Sequence, residues 1–103
     1  MKLVLTTFGN AEDAARVIRT LVEEKVAACG TILPEARSIY QWEGQIEDSL
    51  EAAVLLKTAD SRILELEARL AELHPYSTPE IVTISPENVS KRYAAWVEGS
   101  CAR

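Results

Sequence analysis

Leu73-His74-Pro75-Tyr76-Ser77-Thr78-Pro79-Glu80-Ile81 is the stretch on which the fold turns. It holds the single histidine of the chain and sets two prolines around a tyrosine, with a carboxylate after the second. To its left Ile63, Leu66, Leu70 and Leu73 recur at helical spacing, and to its right Ile81-Val82-Thr83-Ile84 reads as a short strand. Pro75 stops the helix, because the residue before a proline is pushed out of the α region. Pro79 delays the strand, because it has no N–H for a ladder. Tyr76 is thereby held in a stiff, extended loop, aimed by the fold or by a site.

Upstream of that helix lies the longest apolar run. Ala52-Ala53-Val54-Leu55-Leu56 is apolar at every position, which predicts a strand buried on both faces and closed by Lys57-Thr58. It is the return arm of a hairpin, since Trp42-Glu43-Gly44-Gln45 offers a tight turn with Gly where φ must be positive. The outgoing arm is β-rich from Arg37 to Trp42. Before it Gly30 to Pro34 reads as a strand or an extended entry to one, bent at the proline.

Further out, Lys2 to Phe8 reads as a buried strand. Asn10 caps a helix with Glu12 and Asp13 in its first turn, where the dipole favours negative charge. Ala14, Val17, Ile18, Leu21 and Val22 form that helix's apolar face, which ends near Lys25. Asp60 or Ser61 is the expected cap of the second helix, with Glu65 and Arg69 paired on its surface. Ser90 opens a short terminal helix bearing Tyr93, Trp96 and Val97 and ended by Gly99.

The order is strand, helix, strand, strand, helix, strand, then a small helix. It predicts one α+β domain over residues 1–103, a ferredoxin-like βαββαβ sandwich whose antiparallel sheet carries both helices on one face. Two-sided burial at Ala52 to Leu56 then requires a cover for the other face, and another copy of the chain is the expected one.

Composition sets further bounds. The 103 residues are 48% hydrophobic and 26% charged, a globular balance. A net charge of −5 disfavours nucleic acid as a partner and suits cations. Two cysteines, Cys29 and Cys101, make no disulfide framework and indicate a reducing, cytoplasmic setting. Met1 leads straight into Lys2-Leu3-Val4 with no signal-peptide pattern, and no run is long enough to span a membrane. Cys101, near the chain end, is expected to be a mobile free thiol.

Thr6-Thr7, Ala27-Ala28-Cys29, the run Ser38-Ile39-Tyr40-Gln41-Trp42-Glu43-Gly44-Gln45-Ile46-Glu47, Glu51, Lys57-Thr58, His74-Pro75-Tyr76, Pro79-Glu80-Ile81 and Tyr93-Ala94-Ala95-Trp96 recur here in one order and spacing. Together they resemble the divalent-cation tolerance (CutA) family over nearly the whole chain. That resemblance implies a ferredoxin-like subunit in a tight homotrimer, with hairpins extending the sheets between subunits. It implies a likeness to nitrogen-signalling trimers that hold small ligands between subunits. It also implies tolerance to divalent metals, copper above all, with Cys29 and His74 at the positions associated with copper. The chain departs from the family's common pattern at Gly30-Thr31 and at Ser77-Thr78, where a carboxylate that could assist His74 is missing.

The residues themselves leave the sites open. His74 and Cys29 are a candidate metal pair, for copper or another divalent cation, but no ligand pair has helical or knuckle spacing. His74 can equally be a cation at a helix C-terminus, and Cys29 a small buried apolar residue. Tyr40, Trp42, Glu51, Lys57, Tyr76 and Glu80 are candidates for a small-molecule cleft or for aromatic and ionic contacts between subunits. With one histidine, no nucleophile motif and no glycine-rich phosphate loop, the chain is not expected to be an enzyme.

Overall fold

Strand β1 (Lys2–Phe8) forms the centre of the sheet, because each of its flanks is taken by another strand. The computed structural model describes all of residues 1–103. After β1 come α1 (Ala11–Glu23), β2 (Cys29–Trp42), β3 (Gln45–Thr58), a single 3₁₀ turn (Asp60–Arg62), α2 (Ile63–Leu73), β4 (Val82–Ile84) and α3 (Lys91–Ser100). The sheet order is β2-β3-β1-β4 and every pairing is antiparallel. This is the expected α+β sandwich of two interleaved βαβ units.

Local chemistry explains the elements. The Asn10 side chain accepts from the Asp13 N–H at 2.8 Å and so caps α1 as anticipated. The helix stops where Lys25 takes φ 62°. There the Arg62 guanidinium reaches the orphan carbonyls of Lys25 at 3.1 Å and Glu24 at 3.4 Å, a cation set on the negative end of the helix. Ala14, Val17 and Leu21 of α1 and Leu66 and Leu70 of α2 pack onto Val4, Phe8, Val54 and Leu56 to make the core.

The start of α2 differs from expectation. Neither Asp60 nor Ser61 caps it; the cap position is Arg62, with no side-chain bond. The Asp60 carboxylate is held instead by the Met1 amine at 2.8 Å. Nor does Glu65 pair with Arg69. Arg69 binds Glu24, just past the end of α1, in a fork at 2.8 Å, a tertiary partner, and Glu65 binds Arg62 three residues before it at 2.7 Å. Cys101 is buried with Ala28, Ala59 and Val97, so the expectation of a mobile thiol fails: α3 folds back and seals it over the end of the sheet.

The run Ala52 to Leu56 is buried on one face only within the chain. Ala52, Val54, Leu56 and Thr58 lie under the helices, while Ala53, Leu55 and Lys57 are half-buried on the helix-free face. On that face the register sets Leu3, Leu5, Val82 and Ile84 beside Leu55. Beyond Phe8↔Ala52, β1 gives out, and β2 and β3 continue as a two-stranded arm to the turn at Glu43 (φ 51°) and Gly44 (φ 79°). Pro34 does not end a strand. It sits in a bulge between Leu33 and Ala36, with Glu35 at φ 58°, so one continuous strand runs from Cys29 to Trp42.

Candidate functional site

The bulge decides which side chains meet. Leu33 faces Ala53 and Ala36 faces Glu51, so the extra residue in β2 shifts the pleat by one position. After it, Ser38, Tyr40 and Trp42 lie opposite Ser49, Glu47 and Gln45, on the face that carries Glu51. The loop after α2 comes over the same face. Together they enclose a groove of about 650 Å³ lined by Thr7, Ser38, Tyr40, Trp42, Glu51 and Glu80, with Tyr76, Ser77 and Thr78 along its rim.

His74 anchors that loop. It is buried at the end of α2, its ring stacked on Phe8 with centroids 4.3 Å apart. Its Nδ1 accepts the Tyr76 N–H at 3.1 Å, and its Nε2 donates to the Thr7 carbonyl at 2.8 Å. Both nitrogens are thus engaged in a neutral ring. Burial holds its pKa below the usual histidine value, partly opposed by the Thr7 carbonyl. The expectation of a cation at a helix C-terminus is therefore replaced by a neutral brace.

With His74 gripping its backbone, Tyr76 turns its hydroxyl to Glu51 and donates to Oε2 at 3.1 Å. Burial first, and the Glu51 charge second, push the Tyr76 phenol up to about 12. It remains a donor across the physiological range and keeps Glu51 pointed along the groove.

Five of the six sequence-derived cleft residues converge here: Tyr40, Trp42, Glu51, Tyr76 and Glu80. Lys57 does not. It lies six residues beyond Glu51 along the helix-free face, opposite Cys29, and its ammonium donates to Thr31 Oγ1. Closeness in sequence to α2 misplaced it, because the strand carries it to the far end of the sheet. Cys29 stays with Lys57 at that end, its Sγ 3.5 Å from the Tyr93 hydroxyl, so it is not brought to His74. No cluster of three or more His, Cys, Asp or Glu side chains is arranged to hold a metal ion in the chain by itself. Reasoning from sequence missed the contributions of Thr7 and Ser38, small hydroxyl residues that only the register reveals.

The family profile described as CutA1 divalent ion tolerance protein matches residues 2–100. The chain belongs to the CutA1 divalent ion tolerance family. A divalent-cation tolerance protein CutA from Pyrococcus horikoshii is 41% identical over 97 residues, covering 94% of each chain. The crystal structure of the divalent ion tolerance protein CutA1 from Ehrlichia chaffeensis superposes with a TM-score of 0.95 at 35% identity, covering 99% of this chain and 95% of that one. A divalent cation tolerance protein CutA from Archaeoglobus fulgidus, described as periplasmic, gives a TM-score of 0.92 at 32% identity and covers 99% and 100%. No helix of the present chain is long and apolar enough to cross a membrane.

Proposed function

We propose that this CutA-family chain acts as a cytoplasmic homotrimer that serves divalent-cation tolerance without catalysing a reaction, binding copper or another divalent ion weakly. The projecting hairpin carries this reading. Ile39, Leu50 and Ile46 on its outer face are 65%, 63% and 72% exposed, which favours burial against a neighbouring copy. A two-stranded ribbon standing alone is only marginally stable, so such an arm is built to be covered. The number three rests on the family resemblance. In the metal reading, His74 would have to surrender two hydrogen bonds before it could coordinate, whereas Cys29 offers a half-buried soft sulfur.

Light scattering behind size exclusion tests the assembly; a trimeric mass is expected and a monomer refutes it. Calorimetric titration of copper at a fixed reductant level tests the metal. Cys29→Ser is expected to weaken binding and His74→Ala to leave it near wild type. Absence of binding in all three proteins refutes the metal reading.

A second reading is favoured by the groove: a signalling trimer with a small-molecule cleft at Tyr40, Trp42, Glu51, Tyr76 and Glu80. A thermal-shift screen of metabolites tests it, since a ligand specific to the native state raises the melting temperature.

A further inference from the structure

The first turn of α3 is electrostatically out of place. Lys91 and Arg92 both stand there, exposed, at the positive end of the helix, where cations are disfavoured. No acidic residue shares the turn, and Ser90 makes no side-chain capping bond. Neither cation forms an ion pair within the chain, whereas Arg16, Arg37, Arg62, Arg69 and Arg103 all do. The start of α1 shows the ordinary arrangement, with the Asn10 cap followed by Glu12 and Asp13. Just past the basic turn Tyr93 and Trp96 stay exposed, their tilted rings 5.7 Å apart between centroids. A surface unfavourable both in charge and in apolar exposure fits a chain that meets a partner there.

The groove beside Tyr76 is its complement. Glu51 and Glu80 face it, and no cation lines it. One Glu51 oxygen accepts from the neutral Tyr76 hydroxyl, which leaves the carboxylate charge unopposed. Glu47, opposite Tyr40, carries negative charge outward along the hairpin. Tyr40 and Trp42 offer half-exposed rings on the same strand. The two surfaces do not meet within one chain. Tyr93 ties α3 to Cys29, which faces Lys57, six residues along β3 from Glu51. At about 3.3 Å per strand residue, roughly 20 Å separates them. Only another copy can bring the first turn of α3 to the groove.

We propose that the groove is the seat of α3 from a neighbouring copy, with Lys91 and Arg92 on Glu51 and Glu80 and with Trp96 against Tyr40 and Trp42. This inference rests on the reading of the chain as an assembly and names the contact that builds it. The groove and α3 are different patches of one chain, so the contact is head-to-tail: each copy offers one seat and fills one. Repeated about an axis, it closes a ring. Covering the groove in this way pairs its carboxylates, where an apolar cover would strand them.

Charge reversal tests the contact. Assembly mass is followed by sedimentation across a dilution series at low ionic strength, with urea added until the wild type dissociates within the series. Glu80→Lys and Arg92→Glu, both at exposed positions, should each raise the dissociation constant about tenfold. The double reversal should return it to within about threefold of wild type. Added salt should weaken the wild-type assembly. Arg19→Glu, on the exposed side of α1, should change nothing. Circular dichroism checks that each variant is folded.

Carbodiimide coupling gives an independent readout, because it joins an amine only to a carboxylate beside it. A peptide linking Lys91 to Glu80 or Glu51 is expected from the covalent dimer band of a denaturing gel, where a link within one chain would run as monomer. Reversals that leave the assembly intact, a double reversal that recovers nothing, or linked peptides confined to the monomer band overturn the proposal. A metabolite whose thermal shift is lost in Glu80→Lys, in an assembly that ignores the reversal, would give the groove to a small molecule instead. A monomeric wild type removes the assembly reading and this contact together. An assembly indifferent to the reversals removes this contact alone.

Discussion

The backbone N–H of Tyr76 donates to Nδ1 of His74 across 3.1 Å, and that bond fixes the charge of the histidine. Only an unprotonated Nδ1 can accept, so the proton sits on Nε2 and points to the Thr7 carbonyl. Protonating the ring would set two donors face to face and release the loop that aims Tyr76 at Glu51. The groove and the histidine are thus mechanically joined, although His74 does not line the groove.

A pH dependence follows. The folded pKa of His74 lies below its ordinary value of 6.5, with burial as the main cause. The unfolded chain therefore binds the proton more readily, and stability rises with pH in that window. The contribution is fully present above the unfolded value and is lost as pH falls below it and through the depressed folded value. Because the chain has one histidine, its ring signals in NMR are unambiguous, and their midpoint should fall below 6.5. In His74→Gln the stability profile should lose this step. A ring titrating above 6.5 would contradict the neutral brace.

Thr6 supplies a second test. Its hydroxyl is fully buried and has no hydrogen-bond partner, facing Val54 across the sheet. An unsatisfied buried hydroxyl costs about 1–3 kcal/mol on mutational scales. Thr6→Val keeps the shape and the β-branch while removing that group. It should stabilise the fold by about 1 kcal/mol, seen as a higher denaturant midpoint at unchanged slope. A lower midpoint would mean the hydroxyl has a partner in solution, such as a buried water.

Particular residues show what the sequence could carry. Asn10 acts through a side-chain bond to the backbone three residues on, and the Glu43-Gly44 turn and Pro75 through their own backbones, so their roles were legible locally. The bulge at Pro34-Glu35 was not. It switches the groove-side parity from Cys29, Thr31 and Leu33 to Ser38, Tyr40 and Trp42; the bend at Pro34 was legible, but the extra residue that shifts the register shows only in the pairing with β3. The tyrosine–tryptophan alternation was visible because it lies wholly past the bulge. Lys57 and Cys101 were misread for a shared reason: each position is set by contacts between distant segments, the one along β3 and the other under α3.

Arg62 joins such distant segments and should be costly to remove. It is buried, donates to two carbonyls at the end of α1 and pairs with Glu65 at 2.7 Å. Arg62→Ala would orphan those carbonyls and leave a cavity between the helices. We expect a loss of about 3 kcal/mol, the range for hydrogen bonds to a charged group. Arg62→Lys should recover less than half, since a lysine cannot fork across two acceptors and a carboxylate. Equal stability of the lysine variant and wild type would show that charge alone matters at this helix end.

The hairpin tip offers a gain and not a loss. Glu43 and Gly44 take φ 51° and 79°, the pair of positive angles that a two-residue connection between right-twisted strands requires. Gly44 adopts its angle freely, but Glu43 carries a Cβ against the following carbonyl, at a cost of roughly 1 kcal/mol. Asparagine tolerates this region best among residues with a side chain, so Glu43→Asn should relieve most of that strain without moving the register. The arm lies beyond the last β1 pairing, so it can open without unfolding the core. The effect should therefore appear first in hydrogen exchange. Hairpin amides should exchange about fivefold more slowly at a gain near 1 kcal/mol, while amides of β1 change little. Gly44→Ala should do the reverse. Faster hairpin exchange in Glu43→Asn would show that the glutamate is held there by an interaction stronger than its backbone strain.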